Sequence, residues 1–266
     1  MTTTRGSLLE PTIAAGADDS HAGAGDLTPR HPLRPAFAVA FIGYVVLAVV
    51  MLGIGLLLTH ALDGTVGAWD RHVSAHFAAH RTSDENQITK VATSLVNTLP
   101  AVLIAVVIDA VLALRRRWRE AAFLAIALFL EITVFLSVTF VVDRPRPAVP
   151  RLNATPSTGS FPSGNTAAAT VLFTGLAVIV ACCTRNTLAR VASALVGTAF
   201  AGTVGFARVY RGLHYPSDVF AGAFLGLACL AIAAAAVRAA GSRADHGAGT
   251  DADDERGRTE RLRRTA

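Results

Sequence analysis

Apolar positions along this chain are massed into long runs. Residues 36–59 carry no charged side chain, and a helix crossing a bilayer needs roughly 20 such residues. Further runs follow at 91–114, 121–142, 166–183, 188–207 and 216–240. None alternates as a half-buried strand would, and each is too long for the core helix of a small soluble domain. The pattern predicts an all-α membrane protein with six transmembrane helices. The first run is too long, and starts too late, for a cleaved signal peptide, so it is expected to remain as a span. Residues 1–34 are rich in Gly, Ala, Asp, Thr and Pro without periodicity, and disorder is expected there. The charged tail 241–266 is expected to be disordered too, which leaves one six-helix domain over 35–240.

Composition agrees with that division. Hydrophobic residues make up 52% and charged residues 16% of the chain, too little charge to coat a soluble domain of this size. Three cysteines exclude a disulfide scaffold, and Cys182, Cys183 and Cys229 all fall inside apolar runs, where small buried side chains are expected. A net charge of +5 could suggest nucleic acid, but arginines and acids alternate in the tail and the other cations sit between apolar runs. No nucleic-acid partner is expected; lipid headgroups and loop orientation account for those cations.

The arginine-rich segment 115–119, with Arg30, Arg34, Arg185 and Arg190, orients its side toward the cytoplasm. Six spans then place both termini inside. The opposite side carries Arg144, Arg146, Arg151, Arg208 and Arg211, which the orientation rule leaves unexplained.

Three segments on that outer face give those arginines work. They are Asp-Arg-Pro-Arg-Pro at 143–147, Ser-Phe-Pro-Ser-Gly-Asn at 160–165, and residues 207–218, which hold Arg208, His214 and Asp218. Guanidinium groups match phosphate oxygens bidentately. Ser163 and Gly164 precede a helix, where free N–H groups and the dipole attract an anion. Pro216 suits the first turn of the last helix, so Asp218 could reach back to the imidazole of His214 and fix its tautomer. The reaction class implied is phosphoryl transfer through a phosphohistidine.

These segments resemble the tripartite signature of the type 2 phosphatidic acid phosphatases (PAP2), which share a helical core with vanadium haloperoxidases. The family pattern runs K-x6-R-P, P-S-G-H and S-R-x5-H-x3-D. Here it becomes Thr139 to Arg146-Pro147, then Pro162-Ser163-Gly164-Asn165, then Ala207-Arg208, His214 and Asp218. The resemblance covers residues 36–240 and implies a PAP2-like bundle with its site at the extracytoplasmic mouth. It makes His214 the nucleophile and Asp218 its orienting carboxylate. Arg146, Arg208, Ser163 and Gly164 become phosphate ligands, with neither metal nor cofactor. It also implies a lipid phosphate or diphosphate substrate, since bacterial members commonly recycle polyprenyl diphosphate carriers at the cell membrane.

The chain departs from the pattern at three places. Thr139 stands for a Lys that would add a cation to the phosphate cage, and Ala207 for a Ser. Asn165 stands for the His that protonates the leaving group, and an amide cannot do so near neutral pH. An impaired relative that binds lipid phosphates or scaffolds partners is the alternative reading. A vanadium-dependent peroxidase is disfavoured because those relatives are soluble.

Two further patterns stand outside the signature. His72, His76 and His80 recur every four residues, which is metal-ligand spacing on a helix. The favoured reading is an interfacial helix with Trp69, Val73 and Phe77 toward lipid and the histidines toward water. Asp109 and Glu131 lie inside spans, where carboxylates are costly; they are expected to face the bundle or bond neighbouring Ser and Thr.

Overall fold

The computed structural model describes residues 34–95, 98–154 and 158–264, with the backbone alone at 95, 98, 99 and along 242–262. Of the segment 1–34 expected to be disordered, 1–33 lies outside the described residues and Arg34 opens the first helix; every regular element among the described residues is helical. Helix α1 (Arg34–Leu56) runs through π-helical turns at Leu57–Ala61 and Asp63–Gly67 into α2 (Ala68–Ala79). Then come α3 (Ser83–Leu95), α4 (Thr98–Leu114) and α5 (Trp118–Thr139). A long loop leads to α6 (Gly164–Ala169), which passes through a π-helical turn (Thr170–Thr174) into α7 (Gly175–Cys183). Helices α8 (Thr187–Tyr210) and α9 (Pro216–Arg264) close the order.

Among the described residues five helices are long and apolar enough to cross a membrane: Arg34–Ala61, Trp118–Thr139, Gly164–Cys183, Thr187–Tyr210 and Pro216–Gly241. The chain is thus a multi-pass membrane protein, and of the six expected spans the run at 91–114 is not among these five. The run at 91–114 is divided between α3, whose first turn holds Asp84 and Glu85, and α4. The apolar part of α4 is Pro100–Leu114, about 22 Å long at 1.5 Å per residue against a hydrocarbon core of roughly 30 Å. Pro100 falls in the first turn of α4, where its missing N–H is tolerated, whereas in the interior of one continuous helix it would break the hydrogen-bond ladder.

Helix α9 is the hub and packs against α1, α5, α6 and α8. Leu124, Val134, Val138, Leu225 and Ala233 are fully buried between these helices. Phe37, Phe41, Leu188 and Leu195 are exposed on the outer surface, as suits helices solvated by lipid. Lipid tails are as apolar as leucine, so close packing and interhelical hydrogen bonds must hold the bundle together. Tyr44 on α1 bonds Ser137 on α5 at 2.8 Å. Gly226 on α9 leaves room for α6: a Cβ there would lie 2.8 Å from the Ala167 carbonyl. Gly222, one turn earlier, lies against the Ser163 carbonyl.

Two other expectations change. The tail expected to be disordered continues α9 as helix to Arg264; its Ala, Glu and Arg residues are good helix formers. Cys182 and Cys183 are exposed at the end of α7, and only Cys229 is buried. Cys183 meets the guanidinium of Arg117, so these thiols face away from the packed seam.

Candidate active site

The site is built where four chain segments meet at one end of the bundle. The first is the loop after α5. Arg144 is 4% exposed and donates to Asp218 Oδ1 at 2.5 Å, to Asp70 Oδ2 at 2.8 Å and to Ser217 Oγ at 2.8 Å. Its guanidinium also lies over the Tyr215 ring, 4.7 Å from the centroid. The two carboxylates and their hydrogen bonds raise the Arg144 pKa despite burial. Arg146, two residues on, turns the other way. It donates to the carbonyls of Leu213 at 2.8 Å, Gly159 at 3.1 Å and Thr158 at 3.2 Å, and its Nη1 lies 3.4 Å from His214 Nε2. Burial and the charge of Arg151 push the Arg146 pKa down, as expected for a buried cation that lacks a counter-anion.

The second segment is the turn into α6. Ser163 is the residue before the helix, with an extended backbone. Its hydroxyl pairs with Thr166 Oγ1 at 2.9 Å and its N–H donates to the Asp218 carbonyl. The N–H is therefore occupied within the protein, while the hydroxyl can either donate to Thr166 or accept from it. Gly164 and Asn165 instead line the cavity described below.

The third and fourth segments are the end of α8 and the start of α9. Arg208 sits in the last turn of α8 at 9% exposure, and its Nε has no partner among the described residues. The N–H groups of Leu213 and His214 return to the Arg208 carbonyl across a turn at Gly212, whose φ of +72° is the left-handed region that glycine adopts freely. His214 is 4% exposed, and its Nδ1 lies 2.7 Å from the Ser160 carbonyl. A carbonyl only accepts, so Nδ1 carries the proton and Nε2 keeps its lone pair. Burial, then Arg208, then Arg146, hold the imidazole pKa well below its usual value, so the ring is neutral near pH 7.

Two sequence-derived placements are corrected here. Asp218 was expected on the imidazole, but the Ser160 carbonyl takes that position. The Asp218 carboxylate instead bonds Arg144 and the Tyr215 N–H at 2.9 Å. Asp218 is the third residue of α9, and an acid there reaches back to the free N–H before the helix as in a capping box. Thr139 is buried at the end of α5 with Oγ1 unpartnered, outside the cavity lining.

Asp70, on α2, was not foreseen. It is fully buried, accepts from Arg144 and the Ser217 N–H (3.0 Å), and meets Ser217 Oγ. A signal existed, since Asp70, Val73 and Phe77 share one helical face by spacing, and an acid on an apolar face needs a partner. Asp70→Ala leaves Arg144 with one carboxylate in a dry site. The expected cost is about 3–5 kcal/mol, measured as a lower unfolding midpoint in detergent; an unchanged midpoint would show that the pair contributes nothing. The histidines on the same helix, His72, His76 and His80, are exposed. Phe77 packs on Phe206, with ring centroids 5.5 Å apart, so it faces protein where lipid was expected.

Arg146, Asn165, Arg208 and His214 form the mouth of a cavity of about 800 Å³. Its walls descend between α4 and α5 past Phe135, Ile132, Leu128 and Ala105. A second groove of about 500 Å³, between α2, α8 and α9, is lined without a charged side chain and offers nothing to hold an anion. The first cavity joins two guanidiniums and an unprotonated imidazole nitrogen to a largely apolar channel. Such a site suits an anionic head on an apolar body.

Residues 118–242 match the model of the PAP2 superfamily, and all three signature blocks from Arg146 onward fall inside that stretch. The fold is similar to that of a transmembrane PAP2-type phosphatidylglycerolphosphate phosphatase from Bacillus subtilis. The TM-score is 0.60 at 20% identity, covering 76% of this chain and 94% of that one. LpxE from Aquifex aeolicus aligns with a TM-score of 0.49 at 24% identity, over 61% of this chain and 92% of that one. Comparison with curated protein sequences gives no match.

Proposed function

We propose that this PAP2-type membrane protein is a lipid phosphatase that hydrolyses a lipid diphosphate, with polyprenyl diphosphate as its form, through a phosphohistidine at His214. One observation carries the reading. The Ser160 carbonyl fixes the tautomer of His214 so that Nε2 faces the cavity mouth as a free base between Arg146 and Arg208. Nε2 attacks the terminal phosphorus and the bridging P–O bond breaks. The lipid monophosphate leaves with the electron pair. The guanidiniums stabilise the equatorial oxygens as charge spreads over them. Water then cleaves the P–N bond, releases inorganic phosphate and restores the imidazole. Asp218 acts one step back, holding Arg144 and the start of α9. Ser163 precedes α6 and ties it through the Thr166 hydroxyl, and Gly164 and Asn165 present its first turn to the phosphate.

The test is phosphate release from an isoprenoid diphosphate by detergent-solubilised protein beside a His214→Ala control. Release by the wild type alone is expected. Asn165 and Thr139 favour the second reading, a relative that binds lipid phosphates without turning them over; tight binding with no release would establish it.

The site belongs on the extracytoplasmic side, with both termini in the cytoplasm, if the short α4 also crosses the bilayer. A reporter active only in the cytoplasm is expected to work when fused after Ala240 and to fail when fused at Thr155. The reverse pattern would invert the orientation. A further reporter fused ahead of Arg34 tests α4: activity there as well as after Ala240 means that α4 crosses, and activity after Ala240 alone means that it does not.

A further inference from the structure

The carboxyls inside the spans, Asp109 and Glu131, both line the walls of the cavity. The buried acid that reaches the site from farthest away in sequence is Asp70. It lies on α2, outside the stretch 118–242 that the PAP2 model matches, and its carboxylate is fully buried.

The contacts of Asp70 lead to the imidazole. Its Oδ2 accepts from Arg144 Nη2 at 2.8 Å. The Arg144 carbonyl accepts the Ser160 N–H at 2.8 Å, and the Ser160 hydroxyl donates to the Pro145 carbonyl at 3.1 Å. The Ser160 carbonyl in turn lies 2.7 Å from His214 Nδ1. These two stretches of loop lie close together because residue 159 is glycine: a Cβ there would sit 3.0 Å from the Arg144 nitrogen. Asp70 also accepts the Ser217 N–H at 3.0 Å. One carboxylate on α2 therefore holds both the loop that meets the imidazole and the start of α9.

Asp218 shares Arg144 with Asp70, but the two acids are not equivalent. Asp218 follows His214 by four residues and moves with it. Asp70 comes from a separate helix, so it fixes Arg144 relative to α2. A neutral imidazole can carry its proton on either nitrogen, and the bond made by one nitrogen decides the state of the other. Only the Nδ1–H form leaves Nε2 bare at the mouth of the cavity. The Ser160 carbonyl selects that form, and the backbone of Arg144 places the carbonyl.

We infer that Asp70 is a positioning residue for the nucleophile: through Arg144 it sets the Ser160 carbonyl that keeps the His214 proton on Nδ1 and Nε2 free to attack. Its effect on rate rests on the phosphohistidine reading above. The role goes beyond that reading, to a helix that carries none of the signature residues.

The experiment compares the full chain in detergent as wild type, Asp70→Asn and Arg144→Lys. ¹⁵N spectra of histidine-labelled protein show which imidazole nitrogen carries the proton, the His214 signals being those lost in His214→Ala. Asp70→Asn keeps an acceptor for the Ser217 N–H but turns an amide NH₂ toward Arg144, which Asp218 alone then holds. The Nε2–H form of His214 is expected to appear beside the Nδ1–H form. Turnover of farnesyl diphosphate per folded protein is expected to fall by about 10²-fold, as a misplacement near 1 Å can cause. The Kd for inorganic phosphate is expected to stay close to wild type, because Arg146 keeps its three carbonyls. Arg144→Lys replaces the planar fork by a point charge and is expected to show the same split; it carries the test where Asp70→Asn folds poorly. A His214 proton that stays wholly on Nδ1 in these variants would overturn the role. So would phosphate affinity that falls in step with turnover, or failure of both variants to fold, either of which marks a purely structural contact. A wild type no more active than His214→Ala would overturn the phosphohistidine reading, and the tautomer measurement would still decide whether Asp70 positions the ring.

Discussion

Replacing His214 by alanine is expected to lower phosphate release by roughly 10⁴- to 10⁶-fold, the range seen when a hydrolase loses its nucleophile. Nothing else at the cavity mouth can substitute. Arg146 and Arg208 have no lone pair to offer, and the Asp218 carboxylate is engaged by Arg144 and the Tyr215 N–H. Phosphate binding is expected to survive. Arg146 keeps its bonds to the Leu213, Gly159 and Thr158 carbonyls, and these do not depend on the ring. Stability falls by only about 1 kcal/mol for the Ser160 hydrogen bond, plus the space the ring vacates. Calorimetric titration with inorganic phosphate and a turnover assay on the same preparation separate the two effects. Retention of more than about 1% of wild-type turnover would remove His214 from the reaction.

The second large effect is in the choice of substrate. A lipid monophosphate must expel an alkoxide, which depends on protonation in the transition state. A lipid diphosphate expels a lipid monophosphate, already stable as an anion near neutral pH. Asn165 stands where the family pattern has its acid, and an amide cannot protonate the departing oxygen. Monoester hydrolysis should therefore lag by the roughly 10²- to 10⁴-fold that a positioned general acid contributes. The check is kcat/KM for one isoprenoid chain carrying a diphosphate or a monophosphate. Asn165→His is expected to raise the monophosphate value by about tenfold or more and to narrow the gap. Equal values in the wild type would mean that the departing oxygen already finds a proton.

Much of this arrangement could be read along the chain because the parts of the site are local. Arg146, Ser163 to Asn165, and Arg208 to Asp218 each lie within a short stretch, and Pro216 marks where α9 begins. The partner of His214 could not be read in this way. A carboxylate four residues on can reach either the imidazole or the free N–H before the helix. The choice falls to Arg144, whose attachment to Asp70 bridges 74 positions. The second expected span was legible only in outline. Hydrophobicity summed over 91–114 does not register where one helix ends and the next begins, so α3 and α4 read as one. The cavity carboxyls were visible as charges in apolar runs, but only the packing of α4 and α5 shows that both face the same empty space.

Gly222 has a consequence that reaches beyond packing. The carbonyl of Ser163 rests on the place where a side chain at 222 would begin, and the next residue, Gly164, opens α6 and lines the cavity. The separation of two membrane helices and the position of the turn that borders the cavity are therefore one variable. A misplacement near 1 Å can cost about 10²-fold in rate. A side chain that thickened α9 at this crossing would act as a wedge, felt as slow chemistry by a protein whose ligand it never touches.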